Sequence, residues 1–304
     1  MATSAFSGPV VSFGASPAEQ VAGSNPNRSP SLFDQGVALL DPRVPFGYQP
    51  GGADTSATYG WLGATRICVI NQVPSAISAT NIAASAVPVA GTAFTLVSAS
   101  GGGITVGTSI TNAATGATVT GLLAIDTAMA GVAMGQAASI KMWDPTKAIA
   151  RNVRITSVGD DRSGTFLVSG YDVYGYPMSE RITGSNATVA SGAKAFKYIA
   201  SVVPAGTLSG SAITIGTGDV IGLPIRSDYF GECFVNYPDG TVITATTGYT
   251  AAVTTSPATT TTGDVRGTYA LQTASDGSRR LVVYVSPSLA NIVSATGLFG
   301  VTQA

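Results

Sequence analysis

The chain has no histidine among its 304 residues. Histidine is the side chain whose ordinary pKa lies nearest neutrality, and it is the commonest metal ligand. Its absence excludes any catalytic triad or dyad that needs an imidazole as the general base. Glutamate is scarce as well, with only Glu19, Glu180 and Glu232. A chain of this length with so little reactive chemistry is predicted to have a structural role and not to be an enzyme.

Charge is the second scarce feature. Charged residues make up 10% of the chain, against roughly 25% in an ordinary soluble domain, whereas the apolar fraction of 45% is ordinary. Abundant glycine and threonine suit short strands joined by tight turns. Surfaces that become buried in an assembly are also poor in charge, although a sparsely charged secreted β protein has a similar composition. The net charge of −1 gives no basic footprint, so no nucleic-acid partner is predicted.

Cysteine and long apolar runs are scarce too. Cys68 and Cys233 cannot form a disulfide framework, and free, buried thiols are expected, as in a protein made in the cytoplasm. Without histidine or a cysteine cluster, no zinc site and no cofactor are predicted, while calcium bound by oxygen ligands is left open. No run approaches the ~20 apolar residues of a membrane helix, so no membrane partner is predicted. The first residues lack the pattern of a signal peptide.

Residues 1–60 are rich in proline, glycine, serine and asparagine and contain few strand-like runs. Such a segment cannot bury enough apolar surface to fold alone. It nevertheless carries apolar side chains separated by prolines, and the candidate anchors are Phe33, Leu40, Phe46 and Tyr48. We predict an extended N-terminal arm that lies across a neighbouring molecule and orders on contact. The alternative is a disordered leader with chance hydrophobic residues.

The rest of the chain is predicted to be mainly β. Val153 and Ile155 alternate with Arg154 and Thr156, which is typical of a strand with one buried face. The predicted architecture is two or three small antiparallel sandwich or barrel modules with the extended N-terminal arm. The predicted limits are an Ala/Thr/Gly-rich β module over 61–148, an antiparallel β module over 149–225 and a C-terminal β-hairpin module over 226–304.

Several local predictions follow from turn chemistry and alternation. Asp-Gly pairs predict two hairpins, one turning at 238–240 and the other joining strands at 268–273 and 281–285. The apolar side chains Val282 and Tyr284 on the outward face of the last strand predict that this face is covered as well. A short strand is predicted at 94–97, and the glycine-rich run 216–222 is interpreted as a β turn.

Candidate reactive groups are few, and no catalytic residue is predicted. The pair Asp160-Asp161 lies in a glycine-bounded turn, where aspartate is a standard turn residue. Asp172, with Glu180 nearby, is the other carboxylate candidate, and a turn explains it more easily than catalysis does. It lies among three candidate interface aromatics, Tyr171, Tyr174 and Tyr176. Packing against the core or a neighbouring subunit is favoured for them over stacking on a sugar.

Five blocks of the sequence resemble virion proteins of tailed bacteriophages. They are VSGYDVYGYPMSERITG, GAKAFKYIASV and GTGDVIGLPIRSDYF between 151 and 230, with DPRVPFGYQPGG before them and RGTYALQTASDGSRRLVVYVSP after. The resemblance is to head decoration, or cement, proteins. It implies a protein made in the host bacterial cytoplasm that binds the outer surface of the capsid and clamps neighbouring major capsid subunits.

The same resemblance implies two partners, the major capsid protein and further copies of this chain, often as a homotrimer. The four aromatic and leucine anchors of the arm are then the candidate capsid contacts. A tail or fibre component, such as a receptor- or glycan-binding adhesin, is the alternative. A major capsid protein is disfavoured because no segment here predicts a long helix.

Overall fold

A computed structural model of the chain describes residues 67–127, 145–224, 226, 230–237, 247–287 and 301. The arm predicted over 1–60, with its four anchors, lies outside the described residues. Within them the fold is almost entirely strand, with one three-residue 3₁₀ turn at Pro145–Lys147. The predicted mainly β, antiparallel fold is confirmed.

The described residues form fourteen strands. In chain order they are β1 (Ile67–Gln72), β2 (Ser78–Ala86), β3 (Ile104–Thr111), β4 (Thr118–Ile125), β5 (Arg151–Ser157), β6 (Gly164–Tyr171), β7 (Pro177–Thr183), β8 (Val189–Ser191), β9 (Tyr198–Gly206), β10 (Ile213–Gly222), β11 (Phe230–Asn236), β12 (Tyr249–Thr250), β13 (Thr268–Ala270) and β14 (Leu281–Pro287).

These strands make three sheets. One has the order β1-β14-β11, the second β12-β13-β10-β5-β8 with β2 also paired to β10, and the third β3-β4-β9-β6-β7. Strand pairing crosses the predicted module limits, because β4 pairs with β9 and β10 pairs with both β2 and β13. The described residues from Cys68 onward accordingly belong to one compact unit.

The main core lies between the second and third sheets. Strand β6 alternates strictly between buried and half-buried positions, as expected for a strand with one face on a core. Its inward residues Phe166 and Val168 join Val153, Ile155 and Ile215 of the facing sheet in one hydrophobic cluster. Sandwich packing of two antiparallel sheets therefore positions the turns that join their strands.

The glycine-rich run 216–222 is not a turn, and that prediction is wrong. It forms the second half of β10, which lies between β5 and β2. A Cβ atom on Gly216 would clash with the backbone carbonyl of Ser78, and one on Gly218 would clash with the Asn152 side chain. Glycine is therefore required by the close approach of neighbouring strands.

The hairpin predicted between 268–273 and 281–285 is also wrong. Strand β13 pairs with β10 and β12, whereas β14 belongs to the sheet with β1 and β11. The turn itself is present, because Asp276 accepts hydrogen bonds from the Ser278 N–H at 2.9 Å and its hydroxyl at 2.7 Å. Local turn chemistry reverses the chain but does not choose the partner strand. The turn predicted at 238–240 lies outside the described residues.

Two further strand predictions have different outcomes. Residues 94–97 form no strand. The Phe94 N–H donates to the Val202 carbonyl at 2.9 Å, and the Val97 N–H donates to the Ile82 carbonyl at 3.0 Å, so the two bonds go to different sheets. This segment thus bridges two sheets. The prediction that both faces of the last strand are covered is confirmed, since Val282 and Tyr284 are buried.

The buried thiol predicted for Cys68 is confirmed, and the cysteine is free. Burial raises the pKa of this thiol to about 12. Cys68 lies on β1 and Cys233 on β11, with β14 between them. Two strand spacings place their backbones at least about 9 to 10 Å apart, too far for a disulfide bond. Among the described residues, no helix is long and apolar enough to cross a membrane.

Candidate functional site

The turn between β6 and β7 carries the three tyrosines predicted as interface aromatics. Asp172 organises this turn, since its Oδ1 accepts hydrogen bonds from the Tyr174 N–H at 2.8 Å and the Tyr176 N–H at 2.9 Å. Gly175 follows with a φ of +86°, a conformation that favours glycine. The predicted turn role of Asp172 thus has a local cause, the capping of two backbone donors by one carboxylate oxygen.

The other oxygen of Asp172 makes a buried ion pair. Asp172 Oδ2 lies 2.8 Å from Nη1 of Arg266, and the two side chains are 0% and 4% exposed. The Arg266 Nε–H donates to the Leu223 carbonyl at 3.1 Å, and the guanidinium lies 5.5 Å from the Tyr174 ring centroid. Arg266 stacks on Tyr174 and pairs with Asp172, so it links the β6–β7 turn to the residues that lead into β13.

The structure separates the three tyrosines. Tyr174 is buried and its hydroxyl donates to the Pro224 carbonyl at 2.6 Å, so its ring belongs to the interior. Tyr171 is half-buried against Leu122 and Tyr198. Tyr176 is exposed. A surface partner at this turn would therefore meet Tyr176 and one edge of Tyr171.

Two further buried carboxylates, Glu180 and Asp264, hold the segment that precedes β9. Glu180 accepts hydrogen bonds from the backbone N–H groups of Ala193 and Lys194. Asp264 accepts one from the Ala195 N–H at 3.2 Å and another from the Arg266 N–H at 2.9 Å. Both carboxylates therefore hold backbone N–H groups in place.

Burial shifts the acid–base properties of this group. Desolvation is the main cause that raises the pKa values of Glu180 and Asp264, and it lowers the pKa of Lys194 beside them. Raised carboxylate pKa values often mark catalytic sites. Here, however, Glu180, Asp264 and Asp172 are all buried, and each accepts hydrogen bonds from the backbone. The geometry suits bracing better than proton transfer to a substrate.

Arg151 forms a second buried brace, at the start of β5. Its guanidinium donates to the Gly218 carbonyl at 2.6 Å, the Ser75 carbonyl at 2.7 Å, Asp219 Oδ1 at 2.8 Å and Ser275 Oγ at 2.8 Å. The ion pair with Asp219 lies at the start of the strand, and the other partners of Arg151 come from distant parts of the sequence.

Lys197 is a buried charge immediately before β9. Its ammonium donates to the Ile125 carbonyl at 2.9 Å and the Ile149 carbonyl at 2.8 Å. It thereby ties the end of β4 to the entry of β5. Residue type gave no signal for this burial, because lysine is mostly exposed in folded proteins.

The pair Asp160-Asp161 divides into two roles. Asp160 makes an exposed ion pair with Arg162 at 2.7 Å, whereas Asp161 is buried and accepts the Ser209 N–H at 2.7 Å. Both roles belong to turn structure, as the sequence favoured. Within the part of the chain that the structure describes, no group of three or more Cys, Asp or Glu side chains could hold a metal ion.

Comparison with known proteins adds no assignment. No protein-family model matches this chain, and neither a curated protein nor a solved structure does. By its fold and its buried side chains, this chain is a sparsely charged, antiparallel β protein with ion pairs in its interior.

Replacing Glu180 with glutamine should remove a contribution that wild type loses as the pH rises. The free energy of unfolding of the variant, minus that of wild type, should therefore increase with pH. A carboxylate whose folded-state pKa is raised contributes stability below its unfolded pKa and loses it as the pH rises through the folded pKa. Glutamine keeps an acceptor for the Ala193 N–H but cannot ionise. Thermal melting of both proteins between about pH 4 and about pH 8 measures the difference in stability. The lower limit is near the ordinary glutamate pKa.

The matched control is Asp160→Asn. The pKa of Asp160 is lowered, chiefly by its hydrogen bond with Arg162, so its pH dependence has the opposite sign. An unchanged difference between Glu180→Gln and wild type across this range would contradict a raised Glu180 pKa.

Proposed function

We propose that this chain is a non-enzymatic virion structural protein that binds the outer surface of a phage capsid and stabilises contacts between major capsid subunits. The observation that carries the proposal is the use of its buried charges. Arg151, Arg266 and Lys197 are all directed to internal carbonyls and carboxylates that lie far apart in the sequence. Charges held in this way hold distant segments together and are not available to a substrate.

The particular role comes from the resemblance to decoration proteins, whose central blocks span β6 to β10. Asp172 and Glu180 lie in the first of these central blocks, and Arg266, the ion-pair partner of Asp172, begins the C-terminal block. A cement protein must keep its shape while the shell beneath it is under load. Multiple weak contacts on a lattice then give high avidity.

The partners in this proposal are the major capsid protein and further copies of this chain, with the virion as the location. The arm over 1–60 is the proposed reaching element, because extended peptides with spaced apolar anchors bind through backbone hydrogen bonds and small pockets. Phe33, Leu40, Phe46 and Tyr48 remain the proposed capsid contacts.

Binding of the purified protein to expanded capsids that lack it, imaged by electron cryo-microscopy, tests the proposal. Regular density on the outer shell at three-fold or quasi-three-fold positions is expected. Absence of shell binding, with density on tails or affinity for a host glycan instead, would support the tail or adhesin alternative.

Phe46→Ala should weaken shell binding by about tenfold or more, as expected for loss of an aromatic anchor, while the melting temperature stays near that of wild type. Phe13→Ala is the matched control, since it removes the same side chain from the same segment outside the predicted anchors. Co-sedimentation with capsids and thermal melting measure the two effects. Equal losses for both variants, or unfolding of Phe46→Ala, would contradict the anchor role.

A further inference from the structure

One long part of the chain carries no charge at all. Residues 67–125 contain no Asp, Glu, Lys or Arg, so every charged residue of the protein lies outside them. This part supplies β1 to β4 and the connection between β2 and β3. Its exposed surface therefore offers no ion pair to a partner.

The most exposed large hydrophobic side chains of the described residues are Val87 (59%), Val89 (62%) and Val158 (68%). Val87 and Val158 lie at one end of the second sheet, and Val89 follows Val87 after one proline. Ala86 of β2 and Ser157 of β5 both pair with Ile213 of β10, and Val87 and Val158 follow them directly. Val87 and Val158 therefore lie on either side of β10, two strand spacings or about 10 Å apart. We call the three valines the valine patch.

An apolar groove continues from the valine patch. It is a cleft of about 640 Å³ lined by residues 84–89 and 92–99, so Val87 and Val89 belong to its wall. Phe94, which also lines it, packs on Phe166 of the main core with ring centroids 6.3 Å apart. Protruding valines and a concave apolar surface thus lie side by side on the same segment.

We propose that the valine patch and its groove form the surface through which this chain binds a second copy of itself. The surface carries both halves of a self-complementary contact, because Val158 of one copy can enter the groove whose wall includes Val87 and Val89 of the other. This is the requirement for an isologous interface, in which the same patch is used on both subunits.

Charge favours the same occupant. A charged partner would lose hydration against residues 67–125 and find no counterion there, which is costly, whereas a second copy presents an equally neutral surface. At the rim next to Val158, the exposed pair Asp160 and Arg162 supplies one charge of each sign. An apolar centre with a polar rim is the usual anatomy of a protein interface.

This inference rests on the proposed function only in that the latter includes self-association. Its test uses purified protein without capsids, so either can fail alone. Sedimentation analysis of the full chain is expected to give a dimer, with twice the 30.4 kDa mass of one chain. Val89→Glu and, independently, Val158→Glu should each weaken association by at least about tenfold, because a carboxylate would be buried unpaired.

Ile77→Glu is the matched control. Ile77 is another exposed aliphatic residue of the uncharged part, but it lies just before β2, at the opposite end of that strand. It should associate like wild type, and thermal melting should show that all variants are folded. A wild-type protein that sediments as a 30.4 kDa monomer, or valine variants that associate no more weakly than Ile77→Glu, would overturn the proposal.

Discussion

Replacing Arg151 with methionine is expected to lower the free energy of unfolding by about 3–5 kcal/mol, the usual effect of breaking a buried charge network. Methionine retains the apolar stem but removes the donors to Gly218, Ser75, Asp219 and Ser275. Two carbonyls and the Asp219 carboxylate would then lose these hydrogen bonds in the interior. Urea denaturation followed by circular dichroism measures the loss.

The cost should be high because Arg151 also faces a second carboxylate. Asp126 Oδ2 lies 3.9 Å from its guanidinium, has no hydrogen-bond partner and is almost fully buried. Removing the arginine would leave that carboxylate without the nearby cation. Wild type should unfold in one transition, because the residues that Arg151 joins come from all three of the predicted β modules.

Arg154→Met is the matched control for this experiment. Arg154 lies on the same strand but is half-buried, so its loss should cost far less. Equal destabilisation by the two substitutions would contradict the bracing role of Arg151. Two separated unfolding transitions in wild type would contradict a single cooperative unit.

Asp172→Asn is expected to cost about 3–4 kcal/mol by leaving Arg266 buried beside a neutral amide. The asparagine carbonyl can still accept the N–H groups of Tyr174 and Tyr176, so the turn survives while the ion pair is lost. The effect therefore isolates the contact between Asp172 Oδ2 and Arg266 Nη1. Denaturant melts of the single variants and of Asp172→Asn with Arg266→Met form a double-mutant cycle.

The double variant should be less destabilised than the sum of the two single variants, because the second substitution removes a charge that the first left unpaired. Asp160→Asn is the control, since its ion pair with Arg162 is equally short but exposed, and exposed pairs contribute little. Strict additivity in the cycle, or a loss for Asp160→Asn equal to that for Asp172→Asn, would contradict the assignment.

Much of the candidate site was predictable in its local form. The turn at 171–176 and the role of Asp172 in it follow from residue types that cap backbone donors. Which of the three tyrosines is buried was not predictable, because the burial of Tyr174 depends on Arg266 and Pro224, which lie far along the chain. The burial of Glu180, Lys197 and Arg151 was missed for the same reason.

Four features followed from the sequence: the β class, the alternation along β5, the covered second face of β14 and the Asp-containing turns at 160–161, 172–176 and 275–278. These features depend on a two-residue period and on hydrogen bonds within a few residues. Tertiary structure alone decided that β14 joins β1 and β11 instead of β13. It also decided that the glycines of β10 admit a neighbouring strand and that Arg151, Arg266 and Lys197 are buried. Strand partners and counterions come from distant positions, and their choice depends on which pairing buries the most apolar surface while satisfying every buried polar group.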